Sequence, residues 1–349
     1  MTDAFHDALI APGTPGLPER FFDRFMFNLH PADASAPLVL FGLGVYPAAD
    51  VIDGYAICVT RTEQRNVRFS TELSAMEFSA TVGRAGPLSW HVAEPMRTWH
   101  LRLGPNPAGL EFGLTWRARA PAWTGDVAVT NSDGTTSSFA HLFQSGRYHG
   151  TLRVDGQERR IAGWYGQRDR SRGVRTMSGG QGLHIWYQAQ FPDRSIGFLL
   201  AESRQHERLL LEGAVMHESG ELDRVTGVRH DLAFDGTLDL RGGLVEITTE
   251  RGAVYRVDTD ASARGGYMSG GGYGGQHGRR MGRDHIEHDV YPLDGSASPR
   301  TLDSALTDRL AAFTWEGIPG RGIFEFALTR SGSWSARTRR SRGRGILPR

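Results

Sequence analysis

The residues best suited by type to do chemistry lie in one stretch. Gly163-Trp164-Tyr165-Gly166-Gln167-Arg168-Asp169-Arg170-Ser171-Arg172-Gly173-Val174-Arg175 sets four arginines, two aromatics and three glycines around a single aspartate. It lies between two stretches that read as strands. So much charge beside apolar strands must be paired. Two readings stay open: a structural ion-pair knot at a domain junction, or the polar end of a site. On a strand, Arg168 and Arg170 share one face and Asp169 takes the other. Beside Arg168, Arg170 or Arg175 the Asp169 carboxyl would be lowered and make a poor acid. Facing an apolar interior it would be raised by desolvation and suit proton transfer near neutrality.

His141 is the best partner base, against the plainer reading of a satisfied core histidine. Gln144, His184 and Tyr187 could orient a substrate hydroxyl or carbonyl, and Trp164, Arg168 and Arg175 complete the candidate substrate contacts. Packing or ordinary hydrogen bonding is the competing account for each. Asp284-His285-Ile286-Glu287-His288-Asp289 is rich in metal-ligand types, but a strand turns His285 and His288 to opposite faces. No metal ligand is assigned.

Composition narrows the mechanisms. All 40 Lys+Arg positions are arginine, which excludes Schiff-base chemistry, lysine bases and pyridoxal phosphate attachment. One cysteine, Cys58, excludes an internal disulfide framework and a cysteine-based zinc site, and its apolar setting reads as an inert buried thiol. A formal net charge of +1 gives no field that would draw in nucleic acid. No apolar run is long enough to span a membrane, and Met1–Pro18 lacks the pattern of a secretory signal. A soluble cytoplasmic protein is expected, with its oligomeric state open.

The elements that must position these residues are strands. Leu38–Val45, Gly54–Val59, Arg68–Leu73, Met76–Val82, Trp99–Leu103 and Leu110–Arg119 are strand-length runs between turn residues, as are Phe139–Val154, Leu183–Phe191, Ile196–Glu202, Leu209–Met216, Gly243–Thr249 and Ala253–Val257. Gly104-Pro105-Asn106-Pro107, Asn131–Gly134 and Asp155-Gly156 read as turns. Glu19–His30 could form an amphipathic helix strapped onto a barrel, and Leu302–Phe313 is a second helical candidate. Arg264–Arg283 holds nine glycines without a phosphate-binding context and reads as a flexible surface loop, with a flap over a ligand as the alternative. Strands without intervening helices mean an all-β fold.

The run His141-x-x-Gln144-x-Gly146, then Gly150, Val154-Asp155-Gly156 and Gly166-x-Arg168-Asp169-Arg170-Ser171-x-Gly173-Val174-Arg175 resembles a bacterial family related to the carotenoid 1,2-hydratases (hydroxyneurosporene synthases). Tocopherol cyclase and the fungal Diels–Alderase-type cyclases are wider relatives. The resemblance implies two tandem lipocalin-like antiparallel β-barrels over residues 20–175 and 176–335, after an N-terminal extension (1–19) and before a basic, disordered tail (336–349). It implies that Asp169 occupies the place of an alkene-protonating acid, with His141 at the separation of an upstream histidine. Arg172 stands where the hydratases carry a tryptophan, and a guanidinium would repel a carbocation. The expectation is a cofactor-independent lyase or isomerase moving protons on a hydrophobic terpenoid-like, steroid-like or aromatic molecule. Its alternatives are a non-catalytic carrier of such a molecule and a metal-dependent oxygenase.

Overall fold

A computed structural model describes residues 4–33, 37–77, 79–130, 134–175 and 181–330. The expected basic tail lies outside them, as does the expected turn at 131–134 except for Gly134. One helical turn, α1 (Ala4–Asp7), precedes the strands. The first half holds β1 (Phe21–Leu29), β2 (Leu38–Tyr46), β3 (Val51–Val59), β4 (Glu63–Glu72), β5 (Val82–Ala85), β6 (Leu88–Glu94), β7 (Thr98–Leu103), β8 (Leu110–Ala118), β9 (Trp123–Thr130), β10 (Thr136–Val154) and β11 (Gln157–Val174). The second holds β12 (Gln181–Gln190), β13 (Arg194–Ser203), β14 (Arg208–His217), β15 (Leu222–Phe234), β16 (Leu240–Thr249), β17 (Val254–Asp260), β18 (His285–Pro292), β19 (Thr307–Trp315) and β20 (Ile318–Leu328).

The chain is all-β. Strands β12–β17, β19 and β20 close an antiparallel barrel. The other 12 strands form one curled sheet in the order β18-β4-β3-β2-β1-β11-β10-β8-β7-β6-β5, with β9 on β10. Among the described residues the first sheet thus curls without hydrogen-bonded closure. Its β4 edge is covered by β18, supplied from the second half of the chain.

Burial patterns show where the two sheets meet. β7 and β8 alternate buried with exposed positions, so one face meets the core and the other meets water. β2 and β3 are buried at nearly every position. Their inward residues, such as Val39, Phe41 and Ile52, join the first core with Trp99 and Trp116. Their outward residues, Leu38, Leu40, Tyr55 and Ile57, pack with Trp186, Leu199, Met216 and Ile323 of the barrel. The contact between the sheets is therefore a third core.

Four expectations are corrected. Glu19–His30 is not helical but supplies β1, paired with β2 and β11. Phe25, Phe27 and Leu29 face the first core while Phe22 and Met26 face the barrel, so apolar residues on both faces imitate helical spacing. Leu302–Phe313 likewise feeds β19, whose Ala311 and Phe313 alternate into the barrel. Met76–Val82 contributes only Val82 to a strand, Phe78 lying outside the described residues. The first part of the glycine-rich segment is not a free surface loop, because Gly265–Met268 and Gly270–Gly272 are buried. Gly270 lies against β4, Gly271 against β3 and Gly266 against β19, while Arg279–Arg283 is exposed as expected. A Cβ on Gly270 would stand 2.1 Å from Asn66 Oδ1, so only glycine allows that approach.

Candidate functional site

The arginine-rich stretch presents an ion-pair knot on one face of β11 and a cleft-lining aspartate on the other. Arg168 and Arg170 point into the first half, where both are buried. Arg168 pairs with Asp7, whose carboxylate also accepts from Trp99 Nε1 (3.1 Å) and the Met96 amide (2.8 Å). Arg170 pairs with Asp23, which also accepts from Arg172 Nε (3.1 Å) and the Ile10 amide (2.6 Å). The knot ties the N-terminal segment to β1 and β11 and fixes the backbone on either side of Asp169.

Asp169 emerges on the other face, into a cleft of about 530 Å³ between the curled sheet and the barrel. Met26, Phe139, Trp186 and Leu199 give it apolar walls, and Arg24, His141, Arg175, His184 and Glu325 supply polar groups. His141 Nε2 bonds Asp169 Oδ2 at 2.6 Å, and its Nδ1 bonds Glu212 Oε1 of β14, reaching across from the barrel. Burial works against charge on this ring, but the Asp169 and then the Glu212 carboxylates outweigh it and hold the imidazole up to about 10. Both ring nitrogens therefore donate at neutral pH. Phe139, Phe143 and Trp186 surround the ring at centroid distances of 6.0, 5.6 and 6.4 Å. Asp169 Oδ1 has no hydrogen-bond partner among the described residues.

The barrel wall carries a second constellation. His184 Nε2 bonds Glu325 Oε1 at 2.6 Å, and Asp308 is the cross-strand neighbour of Glu325. Burial and then the Glu325 charge hold the Asp308 carboxyl well above the usual carboxylate range. Burial would raise Glu325 too, but the hydrogen bond from His184 leaves it below its ordinary value. The pair thus keeps one proton between its two carboxyl groups.

Of the residues singled out in the sequence, Asp169, His141, Arg175 and His184 meet at the cleft. Four do not. Arg168 and Gln144 lie on the inner face, where the Gln144 amide donates to the Met96 carbonyl at 3.0 Å. Tyr187 has the opposite parity to His184 and is buried inside the barrel, stacked on Phe198 at 4.8 Å. Trp164 packs against the first core. Asp284–Asp289 overlaps β18, whose Glu287 and Asp289 are engaged by Arg68. Among the described residues no cluster of three or more His, Cys, Asp and Glu side chains is placed to hold a metal. Glu212, Glu325, Asp308, Arg24 and Trp186 were not singled out. The available signal was a lone charge in an apolar strand, as in Leu209-Leu210-Leu211-Glu212-Gly213-Ala214-Val215 and Ile323-Phe324-Glu325-Phe326.

A larger hollow of about 890 Å³ lies on the outer face of β6–β8. Its histidines, His91, His100 and His149, are exposed, and it lacks the buried, convergent polar groups of the inter-sheet cleft.

Residues 15–328 match a described protein family. The chain belongs to DUF8625, a family of unknown function. No curated protein matches this DUF8625 member. A protein assigned as AttH from Nitrosomonas europaea has a similar solved structure, with a TM-score of 0.58 and 13% identity over 93% of this chain and 100% of that one. CghA with Sch210972 is similar at a TM-score of 0.52 and 11% identity, over 93% and 95% of the two chains. Kievitone hydratase from Nectria haematococca stands at a TM-score of 0.48 and 11% identity, over 93% and 94%. At these identities the AttH and CghA likenesses show a shared fold only. Among the described residues no helix is long and apolar enough to cross a membrane.

Proposed function

We propose that the inter-sheet cleft is the active site of a cofactor-independent lyase or isomerase acting on a hydrophobic small molecule. The observation that carries this reading is Asp169, fixed from behind by the Arg168 and Arg170 knot, held at Oδ2 by His141, and left with Oδ1 unbonded among the described residues at a cleft with both apolar walls and polar groups. Asp169 Oδ1 takes a proton from a ligand carbon, and the C–H electron pair moves into an adjoining double bond or carbonyl. Returning the proton to another carbon completes an isomerisation. In an elimination a hydroxyl on the neighbouring carbon leaves as water, taking the proton that the Asp308–Glu325 pair shares by way of Glu325, the member that lines the cleft, and hydration is the reverse. His141, with both nitrogens protonated, has no lone pair to act as a base and serves as a positioning residue. The motif resemblance to carotenoid hydratases supports hydration or dehydration. Arg172 does not bear on a cleft carbocation, since it lies with the inner-face knot.

The test is untargeted. A lipophilic metabolite extract is incubated in D2O with wild type and with Asp169→Asn, and products are compared by mass spectrometry. Deuterium-bearing products formed by wild type alone are expected. Identical profiles from both proteins would sink the catalytic reading, and retention of an extract component by both would then make this a binding protein.

A further inference from the structure

Proton transfer does not account for the cations in the cleft. Arg24, on β1, lies with its guanidinium 4.9 Å from the Tyr273 ring centroid and makes no ion pair or hydrogen bond among the described residues. Arg175, just beyond β11, lies 5.3 Å from the Phe139 ring centroid and makes none either. Trp186 Nε1 is buried on the facing wall without an acceptor. Elsewhere in the stretch the arginines are matched: Arg168 by Asp7, and Arg170 and Arg172 by Asp23.

Two of the acids nearby are engaged by histidines. Asp169 is held by His141 and Glu325 by His184. Asp53 lies two strands from Arg24, with Gly44 between; it accepts from His277 (3.3 Å) and the Gly278 amide (2.7 Å), and it favours charge on Arg24 through space without bonding it. At the rim Arg330 donates to the Leu302 carbonyl, and Asp303, exposed to water, makes no ion pair among the described residues. A guanidinium drawn partly out of water without an acceptor for its N–H groups costs stability unless a ligand supplies one. Guanidinium donors also favour oxyanions, which accept two of their N–H groups at once.

We infer that the ligand is a hydrophobic organic anion whose carboxylate or enolate head is held by Arg24 and Arg175, with Trp186 Nε1 as a neutral third donor. This deepens the acid–base reading and rests on it for taking the cleft as the ligand site. Register places the head relative to the chemistry. Arg24, Ser171 and His141 share one cross-strand row, and Met26, Asp169 and Phe143 share the next on the same face. Such rows are roughly 7 Å apart. The carbon that exchanges a proton with Asp169 therefore lies several bonds from the anionic head.

The probes are 8-anilinonaphthalene-1-sulfonate and its neutral parent N-phenyl-1-naphthylamine, titrated by fluorescence. The Arg24→Met/Arg175→Met double variant is expected to bind the sulfonate about tenfold or more weakly, as loss of charge-assisted hydrogen bonds requires. Its affinity for the neutral probe should stay within about twofold of wild type. A second arm needs only the wild-type protein: decanoate should displace the sulfonate and decanol at equal concentration should not. Unchanged sulfonate affinity in the double variant, or equal displacement by decanol, overturns the inference. The two readings fail separately. Conversion by Asp169→Asn equal to wild type, with sulfonate binding still arginine-dependent, removes the acid–base reading and leaves the anion site. The reverse pattern removes only the anion site.

Discussion

His141 shows how a single side chain is tuned by its surroundings. Removed from water, an imidazole resists charge, yet two carboxylates from different sheets meet its two nitrogens and reverse the outcome. Its folded value of about 10 lies above the ordinary 6.5. The stabilisation it provides is therefore complete below about pH 6.5 and is lost as the pH rises through about 10. Replacing it leaves two buried carboxylates facing each other, so His141→Gln should destabilise by about 3–5 kcal/mol in weakly acidic solution. In urea unfolding at stepped pH, the margin of wild type over His141→Gln should shrink steadily toward pH 10. A margin independent of pH would mean that the ring is neutral in the folded protein.

At the scale of elements, β11 separates buried ion pairs from the cleft by parity. Even-numbered Arg168, Arg170 and Arg172 join the inner knot, while Asp169 and Ser171 line the cleft. The strand lies close to β1 because Gly166 has no side chain: a Cβ there would stand 1.8 Å from the Asn28 carbonyl oxygen. Gly166→Ala should push β11 off β1 and lower stability by about 1–3 kcal/mol, read as a shift in the urea midpoint. Gly113→Ala on β8, where the new methyl meets nothing nearer than 4.0 Å, should change stability by less than about 0.5 kcal/mol. Strand parity was legible in the sequence, and with it the opposite facing of Asp169 and its flanking arginines. The β reading was legible wherever strands alternate, as in β7 and β8. It failed at β1, where two apolar partners remove the polar face that distinguishes a strand from a helix. Tyr187 was misplaced because its parity differs from that of His184. Glu212 and Glu325 needed the three-dimensional pairing of two sheets, which no local pattern encodes.

For the whole molecule, the third core makes the two halves depend on one another. Without the barrel, Phe22, Met26, Leu38, Leu40 and Ile57 would lie open to water, and β4 would lose β18. A fragment of residues 1–175 is expected to bind hydrophobic dye and lack native near-ultraviolet circular dichroism. Native-like dichroism from that fragment would show that the first half is an autonomous domain.

The placement of β18 also matters during synthesis. β4 ends at Glu72, but the strand that covers its edge begins only at His285. At ribosomal speeds the intervening chain takes about 10–40 s to appear. During that time the nascent sheet presents a row of unpaired backbone groups along β4, the kind of edge that recruits strands from other chains. Production of this protein should therefore depend on what occupies that edge before residue 285 has been made, whether a chaperone, another nascent chain or water.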